Sequence, residues 1–296
     1  MEKSKLVPRL STCKNRDLVP KNFSACGIKA IFMGILIVWL CVVCCTQAVA
    51  QQVEIKDAPP PPDVPKLSTF APANDLADQV QKYIQDLETT LESEQEYKDT
   101  EGKIGRCSST LAAITLCLGM HEEDNKYKSR AGALIKASRE LAATADYKLA
   151  KKAFADVKAA AEGKAPSQGK LKWEKVASLP DLMKQVPNIN TNLKRNVKGA
   201  KFKSKSKLTA GYTAAIAAIA QASIADASKA KNAAEVRQWY EYMINMRDAA
   251  GAANAAIHAG NEPAAAEAMK KLTQSCDDCH KVFHPAALLI EESTSE

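Results

Sequence analysis

The sequence predicts an all-α protein, on two observations. Alanine is abundant and runs of β-branched residues are scarce from about residue 74 onward, a composition that favours packed helices. Apolar residues also recur at steps of three and four, as at Leu76, Val80 and Leu87, which places them on one face of a helix. Such a helix buries only one side, so several must pack together. We therefore predict two tandem four-helix bundles.

The first bundle is predicted over residues 74–165. It follows a proline-rich connector at residues 51–73, where Pro59 to Pro62 favour an extended polyproline conformation that acts as a spacer. The hydrophobic periodicity in this half predicts four helices: Asp75 to about Tyr97, Gly105 to about Met120, Lys128 to Thr144, and Asp146 to Glu162.

The second bundle is predicted over residues 171–296. A turn rich in Gly and Pro separates it from the first. Pro180 and Pro187 interrupt its first helix, so we expect a kink or a late start there. The pattern predicts four helices again: Trp173 to Lys198, Leu208 to Lys229, Ala233 to Ala259, and Glu262 to His284.

The last predicted helix carries Cys276-Asp277-Asp278-Cys279-His280. Two cysteines three apart, followed at once by histidine, form the attachment signature of a c-type haem. The two thiols add to the vinyl groups of one porphyrin, and the adjacent imidazole ligates the iron. The motif therefore predicts one covalent haem c in the second bundle, with His280 as the proximal metal ligand.

A second hypothesis for the same motif is a protein-interaction module with a structural zinc or a thiol redox site. Zinc needs about four protein ligands in a structural site, and His284 could supply one beside Cys276 and Cys279. The sequence contains no second Cys-x-x-Cys pair to complete such a site.

The two halves resemble each other beyond their helix count. The stretch 110–114 resembles 213–216, and 87–91 resembles 189–193 at almost the same separation. On this alignment Lys164 and Ala165 stand where the second half has a cysteine and a histidine. We therefore predict a duplication whose first copy is haem-free. The alternative is two unrelated bundles that look alike because both are rich in alanine.

The N-terminal 50 residues read as a secretory signal. Seven basic residues precede an apolar run from Ala30 to Cys45, and Ala48-Val49-Ala50 is a cleavage site of the A-x-A type. This predicts a periplasmic or secreted protein cut after Ala50, with an uncleaved membrane anchor as the alternative. Covalent haem attachment in bacteria also happens outside the cytoplasm, in agreement with the motif.

Removal of the signal changes the charge of the protein. Residues 1–50 hold seven Lys or Arg and two acidic residues, which leaves 34 basic against 32 acidic residues, a net charge of about +2. We therefore predict no nucleic-acid partner. A basic run from Lys194 to Lys207 remains, either as a solvated loop or as a docking patch for an acidic redox partner.

Residues 171–285 resemble the cytochrome c′ family of exported four-helix bundles. The resemblance rests on the haem motif near the C-terminus, on Phe283 where that family has tyrosine or a similar ring, and on the alanine-rich stretch 215–219. In the family an arginine commonly follows the ring, where this sequence has His284. The resemblance implies a monohaem cytochrome that is not an enzyme, binds nitric oxide or carbon monoxide or transfers electrons, and commonly forms homodimers.

The resemblance also implies a distal side covered by the first helix of the second bundle, where Leu182, Met183 and Val186 are the candidates. If Leu182 or Val186 covers the iron, the haem is five-coordinate and open to a small gas. If Met183 ligates the iron, the site is six-coordinate and suited to electron transfer. Trp239, Tyr240, Met243 and Met246 are predicted as core that lines the haem pocket.

Overall fold

The computed structural model describes residues 55, 57–100, 102–166 and 169–288. These residues form helices, turns and irregular segments without a strand among them, so the all-α prediction is confirmed. The predicted signal and its cleavage site at Ala50 lie outside the described residues. Over the ranges given above, no helix is long and apolar enough to cross a membrane.

Ten α-helices follow one another along the described chain, and short 3-10 turns at Leu67–Thr69 and Lys128–Arg130 precede α1 and α4. The helices are α1 Ala73–Thr90, α2 Glu94–Asp99, α3 Lys103–Met120, α4 Ala131–Ala142, α5 Tyr147–Ala161, α6 Leu179–Asn196, α7 Ala200–Ser204, α8 Ser206–Ser223, α9 Ala233–His258 and α10 Glu262–Phe283.

Local capping explains where two helices depart from their predicted bounds. The first predicted helix divides because Ser93 accepts a hydrogen bond from the Glu96 N–H at 3.0 Å and starts α2 afresh. The predicted helix from Trp173 begins late, since Ser178 is its N-cap and Pro180 occupies the first turn. The late start expected from the prolines is therefore observed, whereas α7 was not predicted.

Helices α3 and α8 form the centre of the molecule and are buried on nearly every side. Helix α3 packs against α1, α4, α6 and α8, and α8 packs against α1, α3, α6 and α9. One hydrophobic cluster therefore contains residues of both halves, such as Leu76 and Ile189. A hydrogen bond also joins the halves, from Gln185 Nε2 to the buried Tyr83 hydroxyl at 3.2 Å.

Helices α1 and α6 are both 18 residues long, and aligning their ends reveals a repeated sequence. Each contains Asp-Leu-x-x-Gln-Val, at residues 75–80 and 181–186, and Leu87 then pairs with Leu193. This register differs by four residues, about one helical turn, from the one predicted at Leu91. The same end-to-end alignment of α3 and α8 keeps the predicted pairing of Thr110 with Thr213.

The proline-rich segment packs against α9. The Tyr240 hydroxyl lies 3.5 Å from the Pro59 carbonyl oxygen, and the Arg247 guanidinium lies over the Phe70 ring at 5.1 Å. Gly251 permits this approach, because a Cβ there would lie 2.9 Å from the Phe70 Cα and 2.7 Å from its Cβ. The chain before α1 is thus held along the helix that also borders the candidate site.

Candidate haem site

The motif Cys276 to His280 lies in the last two turns of α10. The helix begins where the Asn261 side chain accepts a hydrogen bond from the Ala264 N–H at 3.1 Å, and Pro263 fits the first turn. It ends at Phe283, shortly before Pro285. A continuous helix therefore carries both cysteines and the histidine, so the spacing of the motif becomes one short stretch of helical surface.

Both cysteines lie on the side of α10 that packs into the protein. Cys279 is buried, Cys276 and His280 are half-buried, and Leu272 one turn earlier is fully covered. The two thiols are neighbours, and neither is in a disulfide in this structure. Cys279 faces the interior, and Cys276 is only partly covered.

A cavity of about 160 Å³ lies between α6, α9 and α10, and the haem motif forms one of its walls. Facing the motif are side chains of α6 and two methionines of α9. The lining residues are Met183, Val186, Pro187, Asn190, Thr191, Lys194, Met243, Met246, Thr273, Ser275, Cys276, Asp277, Cys279 and His280.

The structure places the predicted site residues in three groups. Met183 and Val186 line the cavity opposite the cysteines and the histidine. Leu182 is only 2 % exposed and packs in the shared core instead of lining the cavity. Phe283 lies outside the cavity and packs on aromatic residues of α9.

The aromatic contact fixes the C-terminal end of α10. The Phe283 ring meets Trp239 edge-on with centroids 5.2 Å apart and Tyr242 at 6.2 Å. The Trp239 indole N–H donates a hydrogen bond to the Ser223 carbonyl at 3.0 Å. Because this cluster also contains buried Cys279, it orients the thiol-bearing turn against α9.

Pro187 interrupts the backbone hydrogen bonding of α6 at the cavity. It lies inside the helix and has no N–H, so the Met183 carbonyl, four residues earlier, has no helical hydrogen bond from it. Both residues line the cavity. Helix α6 can therefore bend at Pro187 more easily than elsewhere. Pro187 lies one turn after Met183, which faces the motif.

The residues present fit a covalently attached haem in their chemistry. Cys276 and Cys279 supply two thiols and His280 supplies an imidazole, while Met183 and Val186 supply an apolar wall. The cavity is smaller than the roughly 300–1,000 Å³ of typical cofactor pockets. A haem would therefore need outward movement of α6, which Pro187 makes easier, or partial exposure at the cavity mouth.

Asn190 is a polar wall residue that the sequence did not single out. Its side-chain oxygen is buried and has no hydrogen-bond partner among the described residues. Thr191 and Lys194 also line the cavity. The sequence could have indicated all three residues, because they continue from Met183 and Val186 at helical steps of three and four.

Two of the histidines outside α10, His121 and His258, are engaged elsewhere. His121 is buried with its Nε2 3.2 Å from the Ala71 carbonyl oxygen, and His258 Nε2 lies 2.8 Å from the Asp75 carboxylate. His284 lies one turn beyond His280, with ring centroids 6.0 Å apart. In the part of the chain described, no group of three His, Cys, Asp or Glu residues is arranged to hold a metal ion.

Burial affects the chemistry of the second thiol. Removal from water, and secondarily the neighbouring Cys276, raise the pKa of Cys279 to about 12. At neutral pH the Cys279 thiol is therefore protonated.

The chain matches no protein-family model, no curated protein and no solved structure.

Proposed function

We propose that the protein is an exported monohaem c-type cytochrome, resembling cytochrome c′, that binds a diatomic gas, transfers electrons, or does both. The observation that carries this proposal is the placement of Cys276, Cys279 and His280 on one wall of a cavity whose opposite wall holds Met183 and Val186. The proposal includes cleavage of the signal after residue 50 and a periplasmic or secreted location.

When bound, the haem supplies an iron that can change oxidation state or accept a small ligand. Cys276 and Cys279 would hold the porphyrin covalently, and His280 would supply a nitrogen ligand to the iron. Met183 and Val186 would restrict access to the site from α6, and the Trp239–Phe283 contact holds the end of α10 in place.

The haem proposal uses more of the site than thiol redox chemistry does. A redox pair would use Cys276 and buried Cys279 and would leave His280 and the apolar wall without a role. The zinc hypothesis needs about two further protein ligands beside the cysteines. The haem proposal uses the thiols, the imidazole and the apolar wall together.

We also propose that the two halves are copies of one four-helix bundle, the first without a haem. The repeated Asp-Leu-x-x-Gln-Val of α1 and α6 supports this, as do the equal lengths of α3 and α8. Tandem bundles of this kind would share the core formed by the two central helices, and the resemblance to cytochrome c′ adds homodimer formation to the proposal.

The Met183→Leu variant tests which of the two activities the haem supports. Leucine keeps the volume and apolar character of the side chain but removes the sulfur ligand. If the sixth position is open, wild type and variant are both expected to be high-spin and to change absorption spectrum with carbon monoxide. The measurement is the ferric and ferrous spectrum of residues 51–296, matured with bacterial haem-attachment machinery.

A different pair of spectra would assign electron transfer. In this case the wild type would be low-spin and would not bind carbon monoxide, whereas the variant would be high-spin and would bind it. This result would identify Met183 as the sixth ligand. Met243→Leu is the matched control, because Met243 lines the same cavity from α9.

A further inference from the structure

The described surface is strongly basic between the end of α6 and the start of α8. All seven basic side chains of this segment, here called the basic surface, are exposed: Lys194, Arg195, Lys198, Lys201, Lys203, Lys205 and Lys207. Within the described chain only Lys207 among them forms an ion pair, with Asp78 at 2.9 Å. Seven like charges in fourteen residues repel one another, a cost that an acidic partner would offset.

The basic surface is an anchored structure and not a solvated loop. Phe202 of α7 is only 2 % exposed and packs in a small cluster that includes Ala210 of α8 and Ile257 of α9. The Gly199 N–H donates a hydrogen bond to the Glu262 carboxylate at 2.7 Å, which ties the segment to the start of α10. The lysines of α7 are thus held outward in a fixed arrangement.

One end of the basic surface meets the candidate haem site. Lys194 lines the same cavity as Cys276 and His280, and the remaining basic residues continue from it along the chain. A partner that contacts Lys194 would therefore lie beside the cavity wall, while α7 lies against the start of α10. This adjacency distinguishes the segment from other exposed lysines, such as those of α5.

We infer that the basic surface docks an acidic protein that exchanges electrons with the haem, an inference that rests on the proposed function. A protein is favoured over an anionic membrane because one end of the basic surface, at Lys194, borders the candidate haem cavity, where an electron partner would have to lie. The positive charge would speed the encounter with an acidic partner. This effect would weaken as the salt concentration rises.

The triple variant Lys198→Gln, Lys201→Gln, Lys203→Gln tests this inference in the haem-loaded protein. The matched control is Lys148→Gln, Lys151→Gln, Lys152→Gln on the exposed face of α5. Ferrous protein is mixed with hexacyanoferrate(III) or tris(phenanthroline)cobalt(III), so one electron leaves the iron and reduces an anionic or a cationic oxidant. Binding of poly-L-glutamate and of phosphatidylglycerol vesicles is measured alongside, and circular dichroism checks folding.

The inference requires that the triple variant react about tenfold more slowly than wild type with hexacyanoferrate(III) at low salt. Its reaction with the cationic oxidant should not be slowed. Poly-L-glutamate binding should weaken in the same variant and not in the control. Equal losses in both variants, or binding to vesicles but not to poly-L-glutamate, would overturn it. A protein without haem would instead refute the proposed function, while poly-L-glutamate binding would still test the surface.

Discussion

Replacing both Cys276 and Cys279 by alanine is expected to abolish covalent haem while the helical fold remains. The proposed attachment consists of two thioether bonds to these cysteines, and no other pair of cysteines in residues 51–296 has the three-residue spacing followed by histidine. Haem retained after denaturation, visible as a pyridine haemochrome, should fall from one per chain to none. Covalent pigment that persists in this variant would refute the site.

The matched control is Cys107→Ala with Cys117→Ala, which removes the same number of thiols. Both cysteines are buried in α3, where burial raises the pKa of the Cys107 thiol to about 11 and that of Cys117 as well. They lie in the shared core and do not line the cavity beside Cys276 and His280. The control is expected to keep its haem, with some loss of stability.

Leu76→Ala is expected to lower the free energy of unfolding by about 3 kcal/mol, because the side chain is fully buried and its removal leaves a cavity. Leu76 belongs to the first half, but its cluster includes residues of the second. The loss should therefore be seen equally by a probe in the second half. Trp239 serves as that probe in a Trp173→Phe background without haem, while circular dichroism reports on all helices.

The control for this experiment is Leu149→Ala. Leu149 is 52 % exposed on α5, so its truncation should change the stability by about 0.5 kcal/mol or less. If Leu76→Ala lowered the midpoint by circular dichroism and left the Trp239 midpoint unchanged, the two halves would unfold independently and a shared core would be refuted.

Periodicity was sufficient to predict the helices that hold the site. The last helix was predicted from Glu262 to His284, and α10 begins at Glu262 and ends at Phe283. The resemblance to cytochrome c′ implied Met183 and Val186 as candidates on α6, and both line the cavity. In these cases a local rule and the tertiary environment agree.

Tertiary packing determines which side chains of α6 enter the core and which line the cavity, and the sequence pattern did not predict this. Leu182 and Met183 are neighbours, yet one enters the shared core and the other the cavity, because α6 packs on α3 and α8 as well as bordering α10. Asn190 was missed because an amide in a helix gives no sign that its oxygen will be buried. The repeated Asp-Leu-x-x-Gln-Val was visible in the sequence, but the predicted register was about one helical turn away.

The central claim is that one haem is bonded to both cysteines of α10. Residues 51–296 matured with haem-attachment machinery should, after denaturation and protease digestion, yield one peptide carrying haem on Cys276 and Cys279, identified by mass spectrometry. If these two thiols resist alkylation while Cys107 and Cys117 are alkylated, the result agrees with the claim. An unmodified peptide with both thiols alkylated would contradict the account and return the motif to the zinc or thiol hypothesis.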